Sequence, residues 1–137
     1  MNYYSIIKKI DNSYIVSFPD FPNIQTYGDT LEQALIYASE ALNGTLESDF
    51  QRGFKITEPS IPKSKKRYPI KVLPHITIAL QLRKLRNNKS QVDIAKKLGI
   101  SYQAYQKLEN PRKCNPTVKS LEKIMKVFNK ELDFVIN

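Results

Sequence analysis

Hydrophobic and polar residues alternate over the first part of the chain, as they do in strands with one buried face. Two runs rich in Tyr, Ile and Val, "YYSIIKKI" (3–10) and "SYIVSF" (13–18), flank Asp11-Asn12, a pair typical of a hairpin turn. A third such run is "IQTY" (24–27). These segments predict three antiparallel strands.

A helix is predicted next, because apolar residues now recur at helical spacing. Thr30 is a candidate N-cap, and Gln33 three residues later completes a capping box. The apolar stripe that follows consists of Leu31, Leu35, Ala38, Leu42 and Leu46. The short run "FKI" (54–56) predicts a fourth strand, so the expected order is β-β-β-α-β.

Beyond residue 76 the apolar spacing is helical throughout. Four helices are predicted, one on the stripe Ile78, Leu82 and Leu85, and three that begin at Ser90, Ser101 and Thr117. The last run, "ELDFVI" (131–136), alternates like a strand but has no strand partner in its own domain. The predicted fold class is α+β: a sheet-and-helix domain, then an all-α bundle that ends in a strand.

Composition divides the chain between these two parts. Four of the eight prolines lie within residues 59–76, and proline removes a backbone donor and disfavours helix. We therefore expect residues 1–58 and 77–137 to be separate domains joined by an extended linker. The five basic residues of this linker either contact phosphate or simply keep a tether solvated.

The net charge of +9 is divided unevenly. Residues 1–60 carry four Lys and Arg against eight Asp and Glu, a net charge of −4, whereas residues 61–137 carry 18 against five, a net charge of +13. A cationic half favours a polyanion as its partner, and an anionic half favours a basic one. The alternative is that the charge only keeps a small protein soluble.

Little in the sequence indicates catalysis, and we do not expect an enzyme, a metal or a cofactor. The single His (His75) lies in the proline-rich segment, and Cys114 has no second cysteine, which fits a reducing cytoplasm. No apolar run approaches the roughly 20 residues of a membrane span. One catalytic alternative is a nuclease in which Asp20 and Asp29 together hold Mg²⁺.

Residues 90–109 have the layout of a helix-turn-helix, because two short helices are joined by the glycine turn "GIS". The outward face of the second helix offers amides, a phenol and an ammonium, but no acid. Such side chains suit a DNA major groove, in which Gln can bond adenine and Lys guanine. The residues predicted to contact bases are Tyr102, Gln103 and Lys107, with Gln106 facing the groove wall.

Residues 77–128 resemble the helix-turn-helix family of lambdoid phage repressors and xenobiotic-response-element regulators, through the stretch "SQVDIAKKLGISYQAYQKLENP". The phosphate-binding residues that this resemblance implies are Gln91, Asn110, Arg112 and Lys113. Ser101, which caps the reading helix, completes the expected DNA-binding set. The family usually has Gly after the Asn, whereas this chain has Pro111.

A single small DNA-binding module seldom binds tightly, so two copies on half-sites about one DNA turn apart are expected. The hypothesis is that the terminal run pairs with its copy in a second chain through Leu132, Phe134 and Ile136. The result is a homodimer or, by further association, a tetramer. The alternative is that this run packs on its own bundle.

The stretches "FPDFPNIQTYGDTLEQAL" (18–35) and "GFKITEPS" (53–60) resemble the HicB antitoxin family. The resemblance covers residues 3–60 and implies a degraded ribonuclease H-like fold. It also implies a partner, the small ribonuclease toxin HicA, whose basic RNA-binding surface an acidic domain can cover. The residues expected to bind this toxin are Asp20, Phe21, Asp29 and Glu32.

Two functions from different classes are therefore in competition. The first is an antitoxin that neutralises a HicA-type mRNA-cleaving ribonuclease and represses its own operon by binding operator DNA as a dimer or higher oligomer. The alternative is a stand-alone helix-turn-helix repressor whose N-terminal domain senses a ligand or oligomerises.

Overall fold

Four strands and five helices make up the chain in a computed structural model that describes all of residues 1–137. They are β1 (Asn2–Ile10), β2 (Ser13–Phe18), β3 (Phe21–Gly28), α1 (Leu31–Gln51), β4 (Tyr68–Lys71), α2 (Pro74–Arg86), α3 (Gln91–Leu98), α4 (Tyr102–Leu108) and α5 (Val118–Val127). The chain divides into unit 1, Met1–Pro74, and unit 2, His75–Asn137. None of the helices has the length and apolar character that crossing a bilayer requires.

Unit 1 is a four-stranded antiparallel sheet of order β3-β2-β1-β4. The predicted hairpin is confirmed, because β1 and β2 pair on either side of Asp11, whose φ is 55°. A positive φ at the first turn residue matches the twist of the flanking strands, and Asp tolerates it better than most residues. The α+β class predicted from the sequence is likewise confirmed.

The start of α1 is fixed by a short motif that the sequence predicts in part, since Gln33 bonds the residue before the N-cap, where a capping box would bond the N-cap itself. The Thr30 hydroxyl accepts a bond from the Gln33 N–H at 3.1 Å, and the Gln33 side-chain oxygen accepts one from the Asp29 N–H at 2.7 Å. Gly28 is required because a Cβ there would lie 2.5 Å from the backbone nitrogen of Ala34. The absence of a side chain therefore lets the first turn of α1 sit directly on the end of β3.

The stripe predicted on α1 is partly confirmed. Ala38, Leu42 and Leu46 are fully buried, whereas Leu31 and Leu35 are only half-buried. The innermost position of the first turns belongs to Ala34, which is small enough for the close approach at the end of β3.

The predicted fourth strand and linker are both wrong. Residues 54–56 form no strand, and β4 instead lies inside the segment expected to be a linker, paired with β1. The expected boundary at residue 58 is therefore wrong as well, since unit 1 continues to Pro74. The proline in this strand, Pro69, is tolerated because β4 is an edge strand, where one backbone side needs no ladder bond.

Long-range polar contacts hold β4 in place. The Ser5 hydroxyl donates to the Tyr68 carbonyl at 3.0 Å. The buried Asn43 side chain of α1 donates to the Lys71 carbonyl at 3.3 Å and accepts from the Leu73 N–H at 2.8 Å. One amide thus satisfies both backbone groups at the end of the strand, where no ladder partner is available.

Unit 2 is a bundle of the four predicted helices. The caps predicted at Ser90, Ser101 and Thr117 are confirmed, each side-chain oxygen accepting a backbone N–H three residues on at 3.0–3.1 Å. The core of the bundle consists of Leu82, Ile94, Ala95, Tyr105, Leu121, Ile124 and Phe128.

The predicted terminal strand is not formed within the chain. Residues 130–137 have no regular secondary structure, because a strand needs a neighbouring strand for its backbone bonds and unit 2 contains none. Leu132 packs on the bundle core, whereas Phe134, Val135 and Ile136 are 63%, 80% and 97% exposed.

Candidate functional site

The turn between α3 and α4 has the geometry that the sequence predicts. α3 ends at Leu98 and is capped by Gly99, whose φ of 70° is left-handed, and the Ile100 N–H donates to the Ala95 carbonyl at 3.1 Å. This pattern closes a helix that ends in glycine. Ser101 then starts α4 by accepting from the Ala104 N–H. The hydroxyl hydrogen of Ser101 is not used in that bond.

The outward face of α4 presents the four predicted polar residues to solvent. Tyr102 is 40% exposed, and Gln103, Gln106 and Lys107 are also exposed. Tyr105, by contrast, is fully buried. The row carries hydrogen-bond donors, acceptors and a positive charge but no carboxylate. Such side chains can bond base edges and phosphates without repelling the phosphates.

A buried ion pair ties the ends of three helices together. Glu109, which follows α4 and is 1% exposed, receives two bonds from the Arg86 guanidinium, at 2.6 and 2.9 Å. The Gln91 amide, at the start of α3, donates to the same carboxylate at 3.2 Å. The hydrogen bond from the Arg86 guanidinium to Glu109 is the main cause of the raised pKa of Arg86. The network fixes α4 relative to α2 and α3.

The Tyr105 hydroxyl lies beside this pair without a hydrogen-bond partner. Burial, and then the Glu109 carboxylate, raise the pKa of Tyr105 well above its ordinary value. The sequence does not reveal this network, because Arg86 lies 23 residues before Glu109 and no periodic pattern links them. The available signal is that Glu109 follows Tyr105 by four residues and so shares its buried face.

The loop after α4 accommodates proline where a glycine was expected. The Asn110 carbonyl accepts from the Lys113 N–H at 3.0 Å, which makes a turn with Pro111 in its second position, and proline favours that position. The Asn110 side-chain oxygen accepts from the Arg112 N–H at 3.0 Å. Asn110 therefore shapes the loop, while Arg112 and Lys113 are exposed at its tip. The residue after Lys113 is the buried Cys114, and burial raises the pKa of its thiol to about 11.

The charge of unit 2 surrounds this site. Residues 75–137 contain 13 Lys and Arg against five Asp and Glu. One of the five acids, Glu109, is buried in an ion pair, so still less negative charge reaches the surface. The unit as a whole therefore favours an anionic partner.

The four residues expected to bind a toxin lie at two places in unit 1. Asp29 and Glu32 are exposed at the start of α1. Asp20 is half-buried and accepts from the Ser60 N–H at 3.0 Å. Phe21 belongs mostly to the core, because its side chain is 6% exposed and its ring packs against Tyr3 at a centroid distance of 5.0 Å.

Nothing in the arrangement of carboxylates resembles a metal centre. Asp20 and Asp29 line different clefts. No three His, Cys, Asp or Glu side chains are grouped so that they could hold a metal ion. The two carboxylates of the nuclease alternative therefore do not share a cleft.

Fold and site together define a protein with a small sheet-and-helix unit and a cationic helix-turn-helix unit. A family model described as "HicB_like antitoxin of bacterial toxin-antitoxin system" matches residues 3–79, and one described as "Helix-turn-helix" matches residues 80–135. The chain belongs to the HicB-like antitoxin family.

Two curated relatives are similar to parts of the chain. "Antitoxin HicB 1" of Photorhabdus laumondii subsp. laumondii is 33% identical over 95 residues, which cover 68% of this chain and 59% of the relative. An uncharacterized 14.9 kDa protein of Haemophilus phage HP1 is 42% identical over 53 residues, 36% of this chain and 40% of its own length. The matched region thus spans less than two thirds of either relative.

A solved structure, that of the Burkholderia pseudomallei antitoxin HicB, is also similar. It aligns with a TM-score of 0.47 at 16% identity and covers 77% of this chain and 90% of its own.

Proposed function

We propose that this chain is an antitoxin that neutralises a HicA-type, mRNA-cleaving ribonuclease and represses transcription of its own operon. The observation that carries the proposal is the acid-free row on α4, held on a cationic unit by the Arg86–Glu109 pair. Unit 1, which belongs to the antitoxin family, carries the protein-binding half of the function.

In the DNA complex, α4 lies in the major groove. Tyr102 and Gln103 are in its first turn, the part of a recognition helix that usually reaches base edges, and Lys107 follows one turn later. Lys107 is suited to guanine and Gln103 to adenine, while Tyr102 contacts a thymine methyl or a phosphate. Gln106 lies along the groove wall.

The phosphate contacts flank this helix. The Gln91 amide nitrogen carries two hydrogens, of which one bonds Glu109, and the other can meet a phosphate at the start of α3. Arg112 and Lys113 meet a second phosphate from the loop that Asn110 shapes. These contacts set the position of α4 but carry no sequence information.

Repression uses a dimer, because one small module buries too little surface for tight specific binding. The C-terminal tail, residues 130–137, supplies the contact between the two chains. Leu132 is anchored on the bundle, and Phe134 and Ile136 are apolar and exposed. Antiparallel pairing of two tails satisfies the backbone groups of both, and the dimer so formed carries two α4 helices, one for each of two half-sites about one DNA turn apart. Such dimers can associate further into tetramers.

DNA binding is tested by gel shift of the full chain on the fragment upstream of its gene, at low ionic strength. We expect a shift that an equal mass of scrambled fragment does not compete away. A chain that binds neither fragment contradicts the repressor function. Removal of residues 130–137 is expected to leave a monomer in sedimentation, and a truncated dimer would contradict the role of the tail.

Toxin neutralisation is tested by co-expression with the adjacent gene. When both proteins are expressed in the cytoplasm of one strain, we expect this chain to restore the growth that the adjacent gene product inhibits. We also expect the two proteins to co-purify. Growth restored by a helix-turn-helix fragment alone, or an adjacent gene without toxicity, would favour the stand-alone repressor.

A further inference from the structure

A groove of about 700 Å³ runs along unit 1 between β3 and the second half of α1. Its strand side is formed by the consecutive residues 21–25, and its helix side by Ala41, Gly44, Thr45 and Ser48, which share one face of α1. Two of the four residues expected to bind a toxin also line this groove.

The strand side of the groove is an edge. β3 pairs only with β2, and the register between them shifts here: Phe18 pairs with Phe21, whereas Ser17 pairs with Gln25. Residues 22–24 are therefore outside the regular ladder. An edge strand with backbone groups turned outward is a surface to which another chain can add.

The charge of the groove favours a cation. Asp20, Glu40 and Asp49 line it, against Arg52 and Lys55. Asp20 is held in place by its bond from the Ser60 N–H, and Glu40 is exposed. Three carboxylates against two cations leave one negative charge in excess, which complements a basic segment.

Gly44 gives the helix side of the groove its depth. A Cβ at this position would meet no atom within 4 Å, so packing within the chain does not require glycine. Glycine is also less favourable than alanine inside a helix. The missing side chain leaves α1 open to close approach by a second backbone, which the chain itself does not provide.

We propose that this groove binds a positively charged segment of the ribonuclease toxin, which lies along the edge of β3 and against the Gly44 face of α1. The inference rests on the proposed function and deepens it by naming the toxin-binding surface. Asp20 is part of this surface, whereas Asp29 and Glu32 lie outside the groove.

The test measures binding of the full chain to the purified product of the adjacent gene by calorimetry. Gly44→Arg places a bulky cation in the groove, and arginine is a good helix former, so the fold is retained. We expect affinity to fall by at least about tenfold. Gly44→Ala adds a methyl group to the face that the second backbone approaches, and is expected to lower affinity by less than Gly44→Arg does, about threefold.

Two further variants sharpen the test. Ile36→Arg places the same side chain on α1 outside the groove, at a position that is 51% exposed, and is expected to bind like the wild type. Glu40→Lys reverses one charge of the groove and is expected to weaken binding most at low salt. If circular dichroism shows that Gly44→Arg unfolds α1, Glu40→Lys becomes the deciding variant.

The outcomes separate the two proposals. A wild-type chain that does not bind the toxin refutes the antitoxin function and the groove together. Wild-type affinity in both Gly44→Arg and Glu40→Lys refutes the groove alone, as does an equal loss in Ile36→Arg. Amide NMR of the complex gives an independent readout: the signals of Asn23, Gly44 and Thr45 are expected to shift more than that of Ile36.

Discussion

The two units of this chain differ in the range of the interactions that define them. In unit 2, helix starts and the central turn coincide with local signals, namely Ser and Thr caps and a left-handed glycine. In unit 1, the sheet is completed by β4, whose residue Tyr68 pairs with Ser5. Local chemistry is thus enough to place a helix, whereas a short edge strand exists only because a distant strand accepts it.

The largest expected effect comes from the polar network of Arg86, Gln91 and Glu109, which joins residues of unit 2 that are far apart in the sequence. In Glu109→Ala, the partly buried Arg86 guanidinium and Gln91 lose their shared partner, and we expect unit 2 to lose about 3 kcal/mol of stability. Hydrogen exchange is expected to accelerate at Ile94 and Tyr105 and to stay unchanged at Val16 in unit 1.

The matched control is Glu122→Ala, which removes an exposed acid from α5 and is expected to cost under about 0.5 kcal/mol. A loss below about 1 kcal/mol in Glu109→Ala would show that caps and core suffice. It would then widen the contrast between the units, since unit 2 would depend on local signals alone.

The next effect is expected in unit 1. Asn43→Ala leaves the Leu73 N–H and the Lys71 carbonyl without their side-chain partner, at a cost of about 2 kcal/mol. Thr45→Ala on the same helix removes a hydroxyl that bonds only the Ala41 carbonyl, and is expected to be nearly neutral. Urea denaturation followed by amide signals of β4 measures both variants, and equal effects would contradict the role of Asn43.

The sequence predicts most of the fold for reasons that these variants expose. Close neighbours in the sequence are enough to predict the hairpin, the start of α1 and the four helices of unit 2. β4 could not be found in this way, since "RYPIKV" contains a proline and lies between basic residues and therefore looks like a tether. Its assignment depends on Asn43 and on the edge of β1, which only the assembled sheet brings together.

The site divides in the same manner. The exposed row of α4 could be predicted because helical spacing alone separates it from the buried Tyr105. The Arg86–Glu109 pair could not, since an acid at a helix end is usually solvated. The contact between the rings of Phe21 and Tyr3 could not be predicted either, since the two residues lie in different strands. Sequence patterns give the face of a residue more reliably than its partner.

DNA binding offers a smaller effect that separates two kinds of cation in unit 2. Lys107→Ala is expected to weaken binding to the operator about tenfold, roughly 1.4 kcal/mol, and to relax one base position. Arg112→Ala is expected to weaken specific and random DNA alike and to lower the slope of log affinity against log salt by about one. Equal losses of Lys107→Ala on both DNAs would contradict its role in base reading.

The smallest expected effect returns to unit 1 and has the opposite sign. Gly44→Ala is expected to raise stability by about 0.5–1 kcal/mol, because alanine favours helix and its methyl group meets no neighbour. Gly28→Ala is the matched contrast, since the same methyl group would lie 2.5 Å from the Ala34 nitrogen and must destabilise unit 1. Thermal denaturation of the two variants measures the difference. A destabilised Gly44→Ala would mean that the glycine serves the fold of unit 1, whereas a stabilised one leaves a partner's approach as the reason for it.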